Sequence, residues 1–356
     1  MAYYFMTASK DATIYLQQPN QNTGLDEILE ISKIYYGTVK DVSRALLKFD
    51  VGHLSKSLSD GSVKMKNAYL VMRETESEEI PLDYTLYGYA ISGSWNMGKG
   101  TRFDEISTSG VTWKYRDGDT KAEWLENNLA VGTTSNANDG TGGTWYINNA
   151  ASQSFNYSTA DINMDVTDML KAWMSGSIPN DGLMVKFANS KENDVNDYGI
   201  IKLFSKETNT IYQPKIVIGW NDQSFLTGSL EALISDDIKV GITNLKKEYK
   251  VNTINSMRLF AREKYPLKTF TNSFGYSTIK YLPQNSYYQI RDFASNDIII
   301  PFSEYSKINC DSNGSYITID FTNWEGGRVY KIEFKIDGIN GSQYIDTELT
   351  FNVVKE

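Results

Sequence analysis

The sequence has only one cysteine and one histidine among its 356 residues. The lone Cys310 excludes an internal disulfide, and we expect it to be a small buried thiol. The lone His53 excludes a histidine-rich metal site, and it would have to serve as the base of any Ser-His-Asp type triad. We expect His53 to be a loop residue at the end of a strand.

Long apolar runs and an excess of basic residues are also missing. No stretch approaches the ~20 apolar residues that a membrane-spanning helix needs. The first residues, MAYYFMTASKDATIY, show no basic region followed by an apolar run, so no signal peptide is predicted. The net charge is −9, and no basic stripe suits nucleic acid phosphates. We expect a chain made in a host cytoplasm, with neither membrane nor nucleic acid as a partner.

Aromatic residues are abundant, with 24 Tyr, 15 Phe and 7 Trp, and short alternating runs are separated by turn residues, which is typical of β-structure. The run SRALLKFDVGHL, residues 43–54, shows the pattern. Its apolar face holds Ala45, Leu47, Phe49 and Val51. Its other face holds Arg44, Lys48 and Asp50, with Leu46 as an exception. We predict a half-buried strand whose outer charges pair across strands or with covering loops.

One segment has helical periodicity. In DVTDMLKAWMSG, residues 165–176, four apolar residues recur at i, i+3, i+4 and i+7: Val166, Met169, Leu170 and Trp173. We expect Asp165 to cap the N-terminus of this helix and Gly176 to end it. The polar excursion 114–160 shows no clear pattern beyond one helical turn within TKAEWLENN.

The chain divides after Trp220, where NDQSFLTGS is typical of a linker. We predict an all-β fold of two tandem β-sandwich domains, jelly-roll or Ig-like, with one short helix in the first. Residues 1–220 would form the first sandwich, residues 221–228 the linker, and residues 229–356 an Ig-like C-terminal sandwich.

An ordered set of segments carries a resemblance: KDATIYL, SRALLKFD, VKMKNAYLVM, GVTWKYRDG, MDVTDMLKAWMSGSIPNDGLMVKF, KLFSKE and PKIVIGW. The set resembles the DNRLRE-type β-sandwich domain, a family grouped with carbohydrate-binding modules and also found in virion proteins. The matching positions are Arg44–Val51, Thr112–Trp113, Asp165–Trp173, Gly182–Val185, Phe204–Ser205 and Pro214–Val217. The resemblance covers most of residues 10–220 and departs at the excursion 114–160. It implies a β-sandwich and a role in recognition, and it supplies no catalytic residue.

Residues 221–356 resemble C-terminal portions of phage structural proteins in runs such as SMRLFAREKYPLKTF and YKIEFKIDG. We therefore predict a non-enzymatic structural protein of a tailed-bacteriophage virion, attaching to or bridging neck, collar or tail components. Its partners would be other virion proteins and copies of itself on a symmetric particle. Whether it also binds surface glycans is left open. Two alternatives remain: a carbohydrate-binding module protein and a phage polysaccharide depolymerase.

No catalytic or cofactor-binding residue is predicted. The acidic loop NSKENDVNDYG offers three candidate calcium ligands, Glu192, Asp194 and Asp197. It lacks the twelve-residue calcium-loop pattern, so we favour a solvated loop. Pairs of tyrosines could stack on sugars or lie at protein interfaces: Tyr35 with Tyr36, Tyr87 with Tyr89, and Tyr287 with Tyr288.

Overall fold

The computed structural model describes residues 2–52, 54, 65–78, 83–135, 141–156, 161–235, 237–266, 279–338 and 341–355. His53 lies outside these residues, so the prediction that it is a loop residue stays a prediction. About half of the described chain is strand and very little of it is helix, which confirms the all-β class. No helix among the described residues is long and apolar enough to cross a membrane.

The chain groups into two compact units. The N-terminal unit comprises Met6–Ser62 and Asn67–Val217, and the C-terminal unit comprises Met1–Phe5, Val63–Lys66 and Ile218–Glu356. The two sandwiches and their predicted limits, 1–220, 221–228 and 229–356, stay predictions.

The strands of the first part of the chain are β1 (Ala2–Tyr15), β2 (Ile28–Tyr36), β3 (Val39–Phe49), β4 (Met65–Met72), β5 (Glu74–Glu78), β6 (Tyr84–Ala90), β7 (Tyr115–Asp117), β8 (Ala122–Glu123), β9 (Thr133–Thr134), β10 (Trp145–Tyr146), β11 (Ala151–Phe155), β12 (Ile162–Asp165), β13 (Leu183–Phe187), β14 (Gly199–Phe204) and β15 (Lys215–Trp220). Helices α1 (Thr167–Ser175) and α2 (Asn189–Glu192) and a 3₁₀ turn at Leu129–Val131 lie between them.

The strands that follow are β16 (Glu231–Ala232), β17 (Ile238–Ile242), β18 (Glu248–Lys250), β19 (Ile254–Glu263), β20 (Lys280–Tyr281), β21 (Ser286–Asp292), β22 (Ile298–Ile300), β23 (Asn309–Asp311), β24 (Gly314–Asp320), β25 (Arg328–Gly338) and β26 (Gly341–Val354). A 3₁₀ turn at Glu304–Ser306 precedes β23.

Strand β3 is central to the main sheet, whose order is β11-β6-β13-β3-β1-β15-β4-β12, with β2 also paired to β3 and to β14. Ala45 of β3 lies opposite Thr13 of β1 and Val185 of β13. Both faces of this part of β3 are buried, since Arg44 and Leu46 are as inaccessible as Ala45. The prediction of a half-buried strand is therefore wrong for residues 43–47, although Lys48 is only half-buried and Asp50 is exposed.

The second face of β3 is buried because residues 92–135 and 141–148, called here the covering segment, lie over it. The covering segment contributes Trp95, Val111, Trp113, Trp124 and Trp145 to a core that also contains Ile14, Leu46 and Met184. The helical turn predicted within residues 120–128 is wrong, since this stretch forms a turn, strand β8 and extended chain. The covering segment thus replaces the solvent that an outer sheet face would normally meet.

Helix α1 follows the prediction closely. All four residues of its predicted stripe are buried: Val166, Met169, Leu170 and Trp173. Gly176 ends the helix in the left-handed conformation at φ 73°. Asp165 does accept a hydrogen bond from the Thr167 N–H at 2.9 Å, but the cap position itself is Val166.

The C-terminal unit contains a four-stranded sheet, β17-β19-β24-β23, and a five-stranded sheet, β18-β26-β25-β21-β22. The alternation in β25 predicts its buried face correctly, with Tyr330, Ile332, Phe334 and Ile336 inaccessible. Phe321 packs on Tyr249, Trp324 and Phe351, with ring centroids 5.0–5.6 Å apart. The contacts of Phe321 with Tyr249 and Phe351 join residues that lie far apart along the chain.

The segment predicted as a linker is hydrogen-bonded in the C-terminal unit. Phe225 pairs with Cys310 in a parallel bridge. The Cys310 N–H donates to the Ser224 carbonyl and the Leu226 N–H donates to the Cys310 carbonyl, both at 2.9 Å. Cys310 is buried, as expected, and residues 224–226 run beside β23.

Candidate functional site

The three candidate calcium ligands lie in one loop but serve separate interactions. Glu192 is buried against two cations. Asp194 accepts a hydrogen bond from the Tyr198 hydroxyl at 2.8 Å, and Asp197 accepts one from the Gly199 N–H at 2.9 Å. Within the residues the structure describes, no group of three or more His, Cys, Asp or Glu side chains could hold a metal ion.

Glu192 belongs to what we call the buried charge cluster, formed with Arg44 and Lys186. Arg44 reaches both carboxylate oxygens, with Nε 3.1 Å from Oε1 and Nη2 2.7 Å from Oε2. Lys186 Nζ lies 2.9 Å from Oε2. Strands β3 and β13 supply the two cations and the end of helix α2 supplies the carboxylate. Of the three charges predicted for the outer face of β3, Arg44 therefore pairs as expected, with a carboxylate at the end of helix α2.

Aromatic rings and a backbone carbonyl complete the cluster. The Arg44 guanidinium lies 4.6 Å from the centroid of Trp113 and 5.4 Å from that of Trp145. Lys186 Nζ lies 4.7 Å from the centroid of Trp145. Arg44 also donates to the Gly142 carbonyl. Arg44 and Lys186 thus contact the covering segment at three residues: Trp113, Gly142 and Trp145.

Burial controls the protonation of Lys186 in this cluster. Two cations share one carboxylate, and burial, followed by the Arg44 charge, lowers the pKa of Lys186 to about 7. The side chains of all three residues are at most 1% exposed, so a dissolved substrate cannot reach them. The arrangement therefore fastens the covering segment to the sheet, and the lowered pKa of Lys186 is a consequence of burial.

A second buried carboxylate lies on β1. Asp11 is buried and accepts a hydrogen bond from the Lys206 N–H at 2.6 Å. Burial raises the pKa of Asp11 to about 7, against the lowering effect of that hydrogen bond. Asp11 is closed to solvent, and its hydrogen bond with Lys206 holds the segment after β14 in place.

An accessible site lies in the C-terminal unit, where a cleft has a volume of about 230 Å³. Its lining combines aromatic rings, carboxylates, an aliphatic side chain and short polar groups. The lining residues are Trp220, Asp222, Ile254, Asn309, Tyr316, Thr318 and Asp320. Both charged members of this lining are acidic.

Period-two alternation brings most of the cleft together. Tyr316, Thr318 and Asp320 lie on the face of β24 opposite the buried Ile317 and Ile319. Across the strand pairs, Ile254 of β19 lies opposite Asp320, and Asn309 of β23 lies opposite Tyr316. This places an aliphatic side chain next to a carboxylate and an amide next to a phenol.

The remaining wall of the cleft comes from the end of β15 and the chain that follows it, which residues 224–226 hold beside β23. The Ser224 N–H donates to Asn309 Oδ1 at 3.0 Å, so Trp220 and Asp222 approach the strand that carries Asn309. Asp320 is oriented by the Thr322 N–H, which donates to its Oδ1 at 2.8 Å. The groups of the cleft are therefore held by backbone contacts.

One cation lies next to the cleft but is already paired. Arg258 binds Asp311 through both terminal nitrogens, at 2.6 Å and 2.5 Å. Its guanidinium also lies 4.9 Å from the centroid of Tyr316. The Asp311 carboxylate compensates the charge of Arg258, and it raises the pKa of that guanidinium.

The tyrosine pairs singled out from the sequence do not line this cleft. Tyr36 is exposed at a hairpin tip, whereas Tyr288 is buried. Tyr87 and Tyr89 stack on each other, with centroids 5.8 Å apart. Sequence reasoning missed the cleft, although the alternation in YITID, residues 316–320, was a signal that Tyr316, Thr318 and Asp320 share a face.

Comparisons with known proteins add little. No protein-family model matches the chain, and no curated protein matches it. Among solved structures, the chain is similar to a DUF4785 family protein from Legionella pneumophila, at 9% identity and a TM-score of 0.21. The match covers 99% of this chain and 68% of that protein. A superposition this weak bears on neither the fold nor the function.

Proposed function

We propose that this chain is a non-enzymatic structural protein of a tailed-phage virion, which attaches to or bridges neck, collar or tail components through protein contacts. The observation that carries the proposal is a group of exposed aliphatic side chains on the covering segment. This aliphatic patch consists of Leu129, Val131 and Ile147, which are between 47% and 77% exposed.

Backbone contacts hold the aliphatic patch in one place. The 3₁₀ turn at Leu129–Val131 is capped by Asn128, whose Oδ1 accepts from the Ala130 N–H at 3.1 Å. The Ile147 N–H donates to the Gly132 carbonyl at 2.8 Å, which brings Ile147 beside the turn. Exposed apolar groups that are fixed together in this way are typical of interaction sites.

The energetic argument favours repeated weak contacts. Burying one such side chain completely contributes about 1.5–3 kcal/mol. The loss of conformational freedom of side chains at the interface offsets part of this gain. A single patch would therefore bind weakly. Repeated copies on a symmetric particle would add their contacts through avidity, which suits a chain that is folded alone and assembles on its scaffold.

The buried charge cluster also supports a role without catalysis, because its perturbed lysine is sealed from substrate. The two alternatives, a carbohydrate-binding module protein and a polysaccharide depolymerase, stay predictions. A depolymerase would degrade a host polysaccharide with turnover and lose that activity on substitution of one carboxylate. That result would overturn the proposal.

The direct test uses particles of the phage that encodes the chain. Mass spectrometry of gradient-purified particles should find the chain at a fixed ratio to the tail and neck proteins. The double variant L129D/V131D should lower that ratio at least tenfold while its circular dichroism stays unchanged. The control L226D/I234D adds two aspartates at exposed positions of the C-terminal unit and should incorporate normally. Absence of the wild-type chain from particles would refute the proposal.

A further inference from the structure

The cleft in the C-terminal unit is large enough to admit a ligand group. A volume of about 230 Å³ exceeds the ~150 Å³ of an engineered cavity that holds benzene. A planar group of six or so heavy atoms would therefore fit. The cleft is open, so such a group could belong to a larger molecule that stays outside.

The charge of the cleft favours a cation. Among the described residues that line it, the two charged ones are Asp222 and Asp320, and both are acidic. The nearby cation Arg258 is neutralised by Asp311, which binds it through two hydrogen bonds. The whole chain is also acidic, with a net charge of −9. Acidic saccharides and phosphorylated ligands would be repelled.

The aromatic and aliphatic walls select among cations. Trp220 and Tyr316 offer ring surfaces, and a planar guanidinium stacks on such surfaces while it binds carboxylates with two parallel hydrogen bonds. A lysine ammonium is a compact, strongly hydrated charge and gains less from stacking. Exposed Ile254 provides apolar surface for the methylene stem of an arginine. The chain already stacks one guanidinium on Tyr316, that of Arg258 at 4.9 Å.

We infer that this cleft binds an arginine side chain of a protein partner, with the guanidinium between Asp222 and Asp320 and against Trp220. The inference rests on the proposed function, since it names the chemistry of one contact that the partner would make. Arginine is enriched among the side chains that anchor protein interfaces. The C-terminal unit would thus recognise a basic segment, while the aliphatic patch of the N-terminal unit recognises an apolar one.

The test titrates the full chain with the tripeptide acetyl-Gly-Arg-Gly-amide and follows the indole N–H signals of the seven tryptophans by NMR. The Trp220 signal, assigned with W220F, should move with a dissociation constant of about 1 mM, as suits a single side chain. The matched peptide with citrulline keeps the shape and removes the charge, and it should bind at least tenfold more weakly. D222N and D320N should each weaken arginine binding at least tenfold. The control E231Q removes an exposed carboxylate of the same unit and should change nothing.

Three results would overturn the inference. The Trp220 signal could stay fixed up to 20-fold above the expected ~1 mM constant, citrulline could bind as well as arginine, or a neutral cello-oligosaccharide could move the signal equally in wild type and D320N. Failure of this test is separable from failure of the proposed function. If the chain is absent from particles but binds arginine, only the proposed virion role is refuted. If it is present in particles and the Trp220 signal does not respond, only the assignment of the cleft is refuted.

Discussion

The substitution Glu192→Gln removes the carboxylate that both cations of the buried charge cluster contact, and it preserves side-chain shape. Arg44 and Lys186 would then face each other without a counter-charge in a site closed to water. Removing one partner of a buried ion pair costs about 3–5 kcal/mol. We expect a loss of this size at pH 7. It is a large fraction of the ~5–15 kcal/mol that stabilises a typical folded protein.

The loss should depend on pH, because Lys186 titrates near neutrality. Its pKa is about 7 in the folded chain against 10.5 for the free group, so the unfolded chain binds more protons between these values. Stability from this group therefore rises with pH from about 7 to 10.5. Above pH 7 the wild-type Lys186 becomes neutral, and Glu192 then pairs with Arg44 alone. The deficit of Glu192→Gln should be smaller at pH 9 than at pH 6.

Urea unfolding followed by tryptophan fluorescence measures these differences, since Trp113 and Trp145 flank Arg44. The control is Glu76→Gln, which removes a surface pair with Lys202 at 3.4 Å where Glu76 is 64% exposed. It should cost under ~1 kcal/mol. A Glu192→Gln protein within ~1 kcal/mol of wild type, at an unchanged denaturant slope, would refute the view that the cluster is sealed from water.

Three further stability predictions follow from single contacts. Gly142→Ala should cost at least ~2 kcal/mol in the same urea assay, because the new Cβ would lie 2.6 Å from Trp113 Cζ2. The control Gly37→Ala, whose Cβ would have nothing within 4 Å, should cost only the ~1–2 kcal/mol of its left-handed backbone. Trp173→Ala should cost about 3–5 kcal/mol, and a wild-type Trp173 open to acrylamide quenching would contradict its burial. In the wild type, the Asp11 contribution to the free energy of unfolding falls as the pH rises from about 4 to 7, because the folded chain holds the Asp11 proton up to a pKa of about 7. Asp11→Asn should remove this fall, and an unchanged pH profile would contradict the prediction.

Local periodicity predicted much of the fold because each pattern depends on one stretch of chain. The four-residue stripe of α1 and the alternation of β25 are both determined by residues close in sequence. The outer face of β3 could not be assigned in this way. Whether Arg44 meets water depends on Trp113, Gly142 and Trp145, about 70–100 residues further on, and alternation alone carries no information about such a cover.

The candidate site was out of reach for the same reason. The cleft joins Trp220, which ends one strand, to Ile254, Asn309 and Tyr316 on three others. Each of these looks like an ordinary strand-face residue in sequence. Glu192, a candidate calcium ligand, belongs to a stretch that looks like a solvated polar loop in sequence, and only the fold shows that its carboxylate faces two buried cations.

The buried charge cluster and the aliphatic patch are connected through strand β10. Trp145 packs on Arg44 and Lys186, and two residues later Ile147 is exposed in the patch. Residues 141–148 reach the core through Trp145, and the contacts of Arg44 and Lys186 with Gly142 and Trp145 add a constraint on this end of the covering segment. We therefore expect Glu192→Gln to speed hydrogen–deuterium exchange in peptides covering residues 141–148, at least tenfold, while peptides of β24 and β25 keep their wild-type rates. Exchange that rises equally in both units would show global destabilisation instead. Unchanged exchange in 141–148 would show that the cluster does not hold the patch in place.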